Sequence, residues 1–597
     1  VKLKNFKIIR KYLLQEKEMK TCHALISFFD EPIDDKIDLI CSSINDDTTR
    51  IMVRELMDYV LELFSHRKSQ YFEQILYGQK VIWNEIVNCF ENVIHISELI
   101  ENRRKKIYYD DYRLACEQVH ILLSFYARSQ ALLSHLENTL GVDRYLDKVS
   151  EADFEILEEM LSSQRACIEE LCTEYKVLFQ KEWNLTNVPR IIAHKLIQYN
   201  GDNQICSSLI GNQKRVLLFI VDGFGYCQYL WNKELEAGRT NYTYKENIFS
   251  WLKQENCMSE YILGSAYISD TSAGLAQIFL GQNEKETGII SSKLQRSGET
   301  HFFETKKITN NEFLNTFNIT QNSITDIIAS LGMRSKVFYC SRYSTPELGF
   351  SKSIFKSAEV DSITPAERAF SVIKDYLNEE TTNGLIVTYL TSIDNSGHTM
   401  GAYSRFEKYE HEKLNSLFKN FMIELATTTP DMFNGDTSIM FVADHGMVES
   451  AKKMVSRFDI INLLQQHLNV RVKAVENNRA LLLYGISLDK LVASKITLIN
   501  YFESLNIAVD ITCKLDKEYG TFFCNKEDIP IYNVSPDIII RMVDNGLFYS
   551  NQSINPHLMH YGGHGGASFG ESFVPLLDII LNKKTLDAIN NRFTNIL

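Results

Sequence analysis

The stretch Arg215–Gly225, RVLLFIVDGFG, limits the folds open to this chain more than any other. Its apolar residues run without interruption into Asp222, and glycines flank the turn that follows. A Leu/Ile/Val/Phe run of this length, ended by a Gly-rich turn, reads as a strand buried on both faces of a parallel sheet. Asp222 then stands at the strand's C-terminal end. In open α/β sheets ligands bind along that edge, because helices cover the faces and the loops leaving the strands converge there.

The 597 residues allow two or more domains, each with its own core. Residues 1–186 carry two glycines, Gly78 and Gly141, and one proline, Pro32, while apolar residues recur at helical spacing. Leu56, Val60 and Leu63 form one such face, and Leu157, Leu161, Ile168 and Cys172 another. This part is expected to be an all-α helical domain. Arg103, Arg104, Lys105 and Lys106 read as a helix end, and His23, His66, His95, His120 and His135 show no ligand spacing. Pro189 and the polar stretch Asn200–Lys214 place a linker over 187–212.

From residue 213 onward strands and helices alternate. Val216–Val221, Lys336–Cys340, Leu385–Leu390, Ser438–Ala443, Ala480–Tyr484 and Asp537–Val543 read as strands. Pro365–Leu377 and Ser404–Ala426 read as helices between them. That alternation predicts an α/β domain over 213–597 with a mostly parallel sheet between helices. Segments 286–366 and 465–556 are expected to form a cap, the second as a small subdomain, with Arg342 and Tyr343 facing a leaving group.

A net charge of −13 gives no general electrostatic reason to expect nucleic acid as partner. Twelve cysteines without metal-type pairing point to reduced thiols and a cytoplasmic protein. No apolar run reaches the ~20 residues that span a bilayer. The chain begins at Val1, so a removed signal peptide stays open.

Three further segments repeat the pattern of Asp222. Asp394 and His398 follow the third strand, Asp444 and His445 follow the fourth, and His564 lies between the glycine pairs Gly562-Gly563 and Gly565-Gly566. Three Asp and three His on loops leaving strands offer six oxygen and nitrogen donors suited to zinc or manganese. Two ions with three protein ligands each would clamp the attacking and leaving oxygens of a displacement at phosphorus. A hydroxyl is then needed, and Ser269-Asp270-Thr271-Ser272 supplies it ahead of the apolar helix Leu275–Leu280. Without context such hydroxyls read as helix caps. His557 and His560 read as outer-shell or surface residues.

These motifs carry a resemblance. VDGFG, the hydroxyl segment with IFLGQNEKETGI, IDNSGH with TMGAYS, ADHGM, and GGHGGASFGESFVPLL follow one another as in the alkaline phosphatase superfamily. The match is nearest its type I phosphodiesterase/nucleotide pyrophosphatase branch, and the last motif is also similar to PglZ-domain proteins. The resemblance covers 213–597 and implies an alkaline-phosphatase-like sheet. It implies one divalent ion, most readily Zn2+ or else Mn2+, on Asp394, His398 and His564, and a second on Asp222, Asp444 and His445. The nucleophile it implies is Thr271, with Ser272 as the alternative. Ser292 occupies the place of an asparagine that holds a phosphoryl oxygen, and Lys293 beside it could add charge.

The implied reaction is hydrolysis of a phosphodiester or nucleotide pyrophosphate bond through a phospho-threonine intermediate. A phosphomonoesterase or phosphomutase-like member is the alternative. A PglZ-like regulatory or defence protein, docking a protein partner through its helical domain, is the alternative of another class. The expected ligand is a phosphate ester or nucleotide of small-molecule size.

Overall fold

The Arg215–Val221 run is strand β1, at the centre of a seven-stranded sheet in the computed structural model. The structure describes residues 112–131 and 165–197 in part. It also describes 213–594, apart from 238–246, 297–300, 340–347, 364–365, 380–382, 451–452, 524–533 and 550–560. Arg103–Lys106, the helical faces before residue 112, Arg342, Tyr343, His557 and His560 lie outside the described residues.

The other strands of the sheet are β2 (Met258–Gly264), β3 (Arg334–Tyr339), β4 (Glu359–Ser362), β5 (Gly384–Leu390), β6 (Thr437–Val442) and β11 (Phe573–Leu581). Their order is β2-β11-β6-β1-β5-β3-β4. β1 pairs in parallel with β5 and β6, as β3 does with β5 and β4, whereas β11 runs antiparallel to both its neighbours. The sheet is therefore mixed, with its parallel strands in the middle and helices on its faces. Phe219 of β1 shows why the run needs no polar alternation: Phe370 and Phe441 stack on it at 5.1 and 4.8 Å.

A second sheet is wholly antiparallel, in the order β7-β8-β10-β9. It consists of β7 (Lys473–Asn477), β8 (Ala480–Tyr484), β9 (Val509–Cys513) and β10 (Ile538–Met542), with a long helix, Leu488–Ser504, packed on one side. Leu481, Leu483, Ile538 and Ile540 point into that core together with Leu491, Leu498 and Phe502. Ala480–Tyr484 and its partner thus belong to this small subdomain and not to the central sheet. The segment 286–366, expected to be a cap, contributes β3 and β4 to the central sheet, β3 buried along most of its length and β4 as the exposed edge strand.

Residues 188–197, expected in a linker, form helix α1 (Val188–Ile197), and Tyr226–Ala237 forms helix α2 after β1. Pro189 does not break α1, since proline is tolerated in the first helical turn, where its missing N–H costs no bond. The described residues of 112–131 and 165–182 are helical and fall in the same compact unit as the sheet. Tyr112 donates to the Ile262 carbonyl of β2 at 2.8 Å. Cys116, Cys227, Cys257 and Cys513 are free thiols. Among the described residues no helix is long and apolar enough to cross a membrane.

Candidate metal centre

β1, β5 and β6 end side by side, and their exits build the site. Asp222 follows β1, and its backbone N–H donates to the Leu390 carbonyl of β5 at 2.8 Å, while the Asp394 N–H donates to the Asp222 carbonyl at 3.2 Å. The crossing leaves no room for a side chain at Gly223, where φ is +74° and a Cβ would lie 3.0 Å from the Asp394 Cα. Asp394 and His398 lie on a helix, α4 (Ser392–Met400), and not on a loop. Their four-residue spacing is one helical turn, so both face the same way.

The six residues singled out in the sequence come together in two groups, Asp394, His398 and His564, and Asp222, Asp444 and His445. Within each group one ligand atom per residue lies within 4.8 Å of the others. The groups adjoin, for the His445 and His564 rings stack with centroids 3.8 Å apart.

Each histidine is oriented by a backbone carbonyl. Nδ1 donates to Gly562 O at 3.0 Å in His398, to Gly446 O at 3.1 Å in His445 and to Ser269 O at 2.7 Å in His564. A carbonyl only accepts, so Nδ1 carries the proton and Nε2 presents its lone pair. Those lone pairs face carboxylate oxygens: 3.4 Å from His398 to Asp394, 3.3 Å from His445 to Asp222 and 3.8 Å from His564 to Asp394. Lone pairs this close repel, and a cation between them turns the repulsion into ligation.

The acids are prepared in the same manner. Tyr389 donates to Asp222 Oδ2, and the N–H groups of His445 and Gly223 donate to Asp444 Oδ1 at 3.0 and 3.4 Å. The remaining oxygens, Asp222 Oδ1 and Asp444 Oδ2, are buried without a hydrogen-bond partner, as is Asp394 Oδ1. Burial, and then the charges of Asp394 and Asp444, raise Asp222 well above the usual carboxylate range. Burial and Asp394 push Asp444 up to about 7. Burial, with His445 and His398 alongside, holds His564 well below the usual imidazole range. Three partnerless buried acid oxygens facing three imidazole lone pairs fit divalent cations and fit little else.

Thr271 opens helix α3 (Thr271–Leu280), and its Oγ1 lies 3.1 Å from His445 Nε2. The helix cap is Asp270, whose side chain accepts from Ser272 N at 2.8 Å, so neither hydroxyl serves as the cap. Ser272 Oγ turns away to Ser292 Oγ at 2.9 Å, and Ser292 donates to Asp270 Oδ1 at 2.8 Å. Gly274 brings the helix against Asp444, since a Cβ there would lie 2.6 Å from the Asp444 carbonyl. Lys293 enters the short strand Lys293–Gln295 in register with Glu304.

The sequence profile of the type I phosphodiesterase / nucleotide pyrophosphatase family matches residues 216–566, from β1 through the His564 loop. The chain belongs to this family. The family is metal-dependent and hydrolyses phosphoesters, and this member is a hydrolase that carries both candidate ligand groups. Murine ectonucleotide pyrophosphatase / phosphodiesterase 5 is similar over 61% of this chain and 87% of its own, at 13% identity and a TM-score of 0.44. Phosphonoacetate hydrolase from Sinorhizobium meliloti 1021, in complex with phosphonoformate, is similar over 63% and 94%, at 12% identity and a TM-score of 0.45. No curated protein matches the chain.

Several residues of this phosphodiesterase-family site carry no sequence signal. Lys306 is one: burial opposes its charge, yet nearby Tyr339, Asp222, Asp270 and Asp444 hold its ammonium above the ordinary range. Asn477, at the end of β7, donates to Asp270 Oδ2 at 2.6 Å, and the Arg479 N–H donates to the His564 carbonyl at 3.3 Å. The small subdomain thus braces both the α3 cap and the His564 loop. These contacts span 85 to 207 residues of sequence, beyond any local pattern.

Proposed function

We propose that this chain is a two-metal phosphohydrolase that cleaves a phosphodiester or nucleotide pyrophosphate bond through a phospho-threonine on Thr271. The observation that carries the reading is the 3.1 Å approach of Thr271 Oγ1 to His445 Nε2, at the mouth of two ligand groups with partnerless acid oxygens. Asp394, His398 and His564 would hold one ion and Asp222, Asp444 and His445 the other, with zinc favoured by the N/O donor set and manganese second. Ions bound there would supply Lewis acidity and lower the pKa of a hydroxyl or water beside them.

The chain's own residues do the rest. The α3 N-terminus turns its positive pole toward an incoming phosphate. Asp270 fixes that pole by capping it, and Ser292, whose proton is committed to Asp270, keeps the cap in place. Lys306, whose ammonium is favoured by the charges of Asp222, Asp270 and Asp444, is the cation we assign to the substrate phosphate, in preference to Lys293. Thr271 Oγ1 gives up its proton to water and attacks phosphorus, the bond to the leaving oxygen breaks and that oxygen takes up a proton, and water then cleaves the Oγ1–P bond, its OH going to phosphorus and its proton back to Oγ1. Free thiols among the described residues support a cytoplasmic setting.

The test is hydrolysis of bis-p-nitrophenyl phosphate beside the mono-ester, with added Zn2+ or Mn2+, in wild type and Thr271→Ala. We expect diester preference and a loss on the order of 10³-fold or more in the variant. Monoester preference points to the phosphatase alternative, and full activity in Thr271→Ala moves the nucleophile to Ser272.

A further inference from the structure

The His564 loop is held from two sides by elements outside the central sheet. On one side Glu571 accepts from Gly566 N, Ser568 N and Ser568 Oγ at 2.8, 3.2 and 2.8 Å, and pairs with Arg479 of the small subdomain at 3.1 Å. On the other side stand the described helical residues of 165–182. Glu169 accepts from the Phe569 N–H at 2.9 and 3.1 Å, and Lys176 donates to the Ala567 carbonyl at 2.7 Å. The two side chains form an ion pair and are only 9% and 10% exposed. Seven residues apart, they lie on one helix face two turns from each other.

The same helix also holds the segment that leads to Thr271. Gln180 donates to the Ala266 carbonyl at 3.1 Å, and the Gly264 N–H donates to the Trp183 carbonyl at 2.8 Å. His564 Nδ1 joins the two held segments through Ser269 O. Apolar contact also docks the helix, for Phe179 meets Phe573 of β11 at 5.4 Å. A buried ion pair adds little net stability over apolar residues of the same size, so docking alone does not account for it. Its bonds go to the backbone of a loop with four glycines around His564, a loop that loses much conformational freedom when ordered.

We infer that Glu169 and Lys176 are positioning residues of the metal centre, fixing residues 567–569 so that His564 completes the group with Asp394 and His398. The inference rests on the reading of these residues as metal ligands. Contacts that orient a ligand from behind are worth about 10- to 100-fold in metal affinity.

The test is titration of the metal-free full chain with Co2+, following stoichiometry, affinity and the visible absorption of each bound ion. Wild type is expected to bind two ions, and His564→Ala to lose one. Glu169→Gln and Lys176→Met are expected to bind one ion as wild type does and the second about 10- to 100-fold more weakly, with an altered spectrum for that ion alone. Lys176→Arg should recover most of the affinity. Phe179→Leu, which thins the docking contact and spares both polar bonds, should lower the melting temperature and leave both affinities unchanged.

Wild-type affinity for both ions in Glu169→Gln and Lys176→Met overturns the inference, as does an equal loss of affinity in Phe179→Leu. Should Glu169→Gln not fold, Lys176→Met decides alone. Two ions in wild type that His564→Ala leaves untouched, or no ion at all, would instead overturn the ligand assignment itself, and the inference with it.

Discussion

The two ends of strand β6 carry buried acids finished in opposite ways. Beside its start, at Ser438, Asp578 of β11 accepts from Lys195 at 2.7 Å and from the Ser438 hydroxyl at 2.6 Å, with Lys195 fully buried. Just past its end, Asp444 keeps one oxygen without a partner, as do Asp222 and Asp394 beside it. A buried carboxylate is costly unless a cation and hydrogen bonds complete it. At the first end the chain supplies the cation. At the second the acids keep oxygens without a partner, and that difference separates a structural acid from a candidate ligand.

The comparison breaks most visibly at Asp444. Asp444→Asn is expected to abolish metal-supported hydrolysis, by about 10³-fold or more, and to lower the metal content. In the metal-free chain the same change should raise the melting temperature. Asp444 is held up to about 7 by burial and Asp394, so its folded pKa exceeds its unfolded one. The stability it contributes is then complete below about pH 4 and is lost as pH rises through about 7. Melting curves of metal-free protein at pH 5 and pH 8 check this, and the Asn variant should lose that share of the pH dependence. A variant less stable than wild type at pH 8 would make Asp444 a structural acid like Asp578.

Lys195→Met tests the other end. Removing one partner leaves Asp578 buried and uncompensated, an expected cost of about 3–5 kcal/mol in urea unfolding, with metal affinity and turnover per folded molecule unchanged. The double change Lys195→Met with Asp578→Leu should recover most of that loss. A single variant within about 1 kcal/mol of wild type would erase the contrast on which the comparison rests.

The same contrast explains what the sequence could and could not yield. Asp222, Asp394, Asp444 and His445 were legible because parallel strands bring their C-terminal ends together, so an acid after an apolar run already has an address. His564 was legible through its glycine pairs. β11 shows in the sequence only as the VPLL motif, and its antiparallel insertion beside β6 depends on pairing across 134 residues or more. Helix α1 was hidden behind Pro189. Glu169, Lys176, Asn477 and Lys306 act through contacts far apart in sequence, and each reads locally as an ordinary polar residue. The ligands follow from topology, and their supports follow from packing that no periodicity encodes.

The smallest effect is expected at a third pair of buried groups. Glu407 and His411 lie one turn apart on helix α5 (Arg405–Thr428), both buried, His411 against Trp231 and Phe224, with Glu407 Oε1 and both His411 ring nitrogens partnerless. Among the described residues neither forms an ion pair, and burial keeps both neutral: Glu407 is pushed up to about 8 and His411 down to about 3. The signs oppose. His411 contributes stability that is present above its unfolded value, near pH 6.5, and is lost as pH falls toward 3, whereas the Glu407 contribution is complete below about pH 4.5 and is lost as pH rises through 8. Between pH 6.5 and pH 5 the two slopes therefore offset each other, each by about 1–2 kcal/mol. Glu407→Gln should uncover a loss of stability on acidification relative to wild type, and His411→Phe a gain, in urea midpoints read at the two pH values. Parallel slopes in wild type and both variants would mean that water or charge reaches these groups, and that the protein has only the two kinds of buried acid that β6 displays.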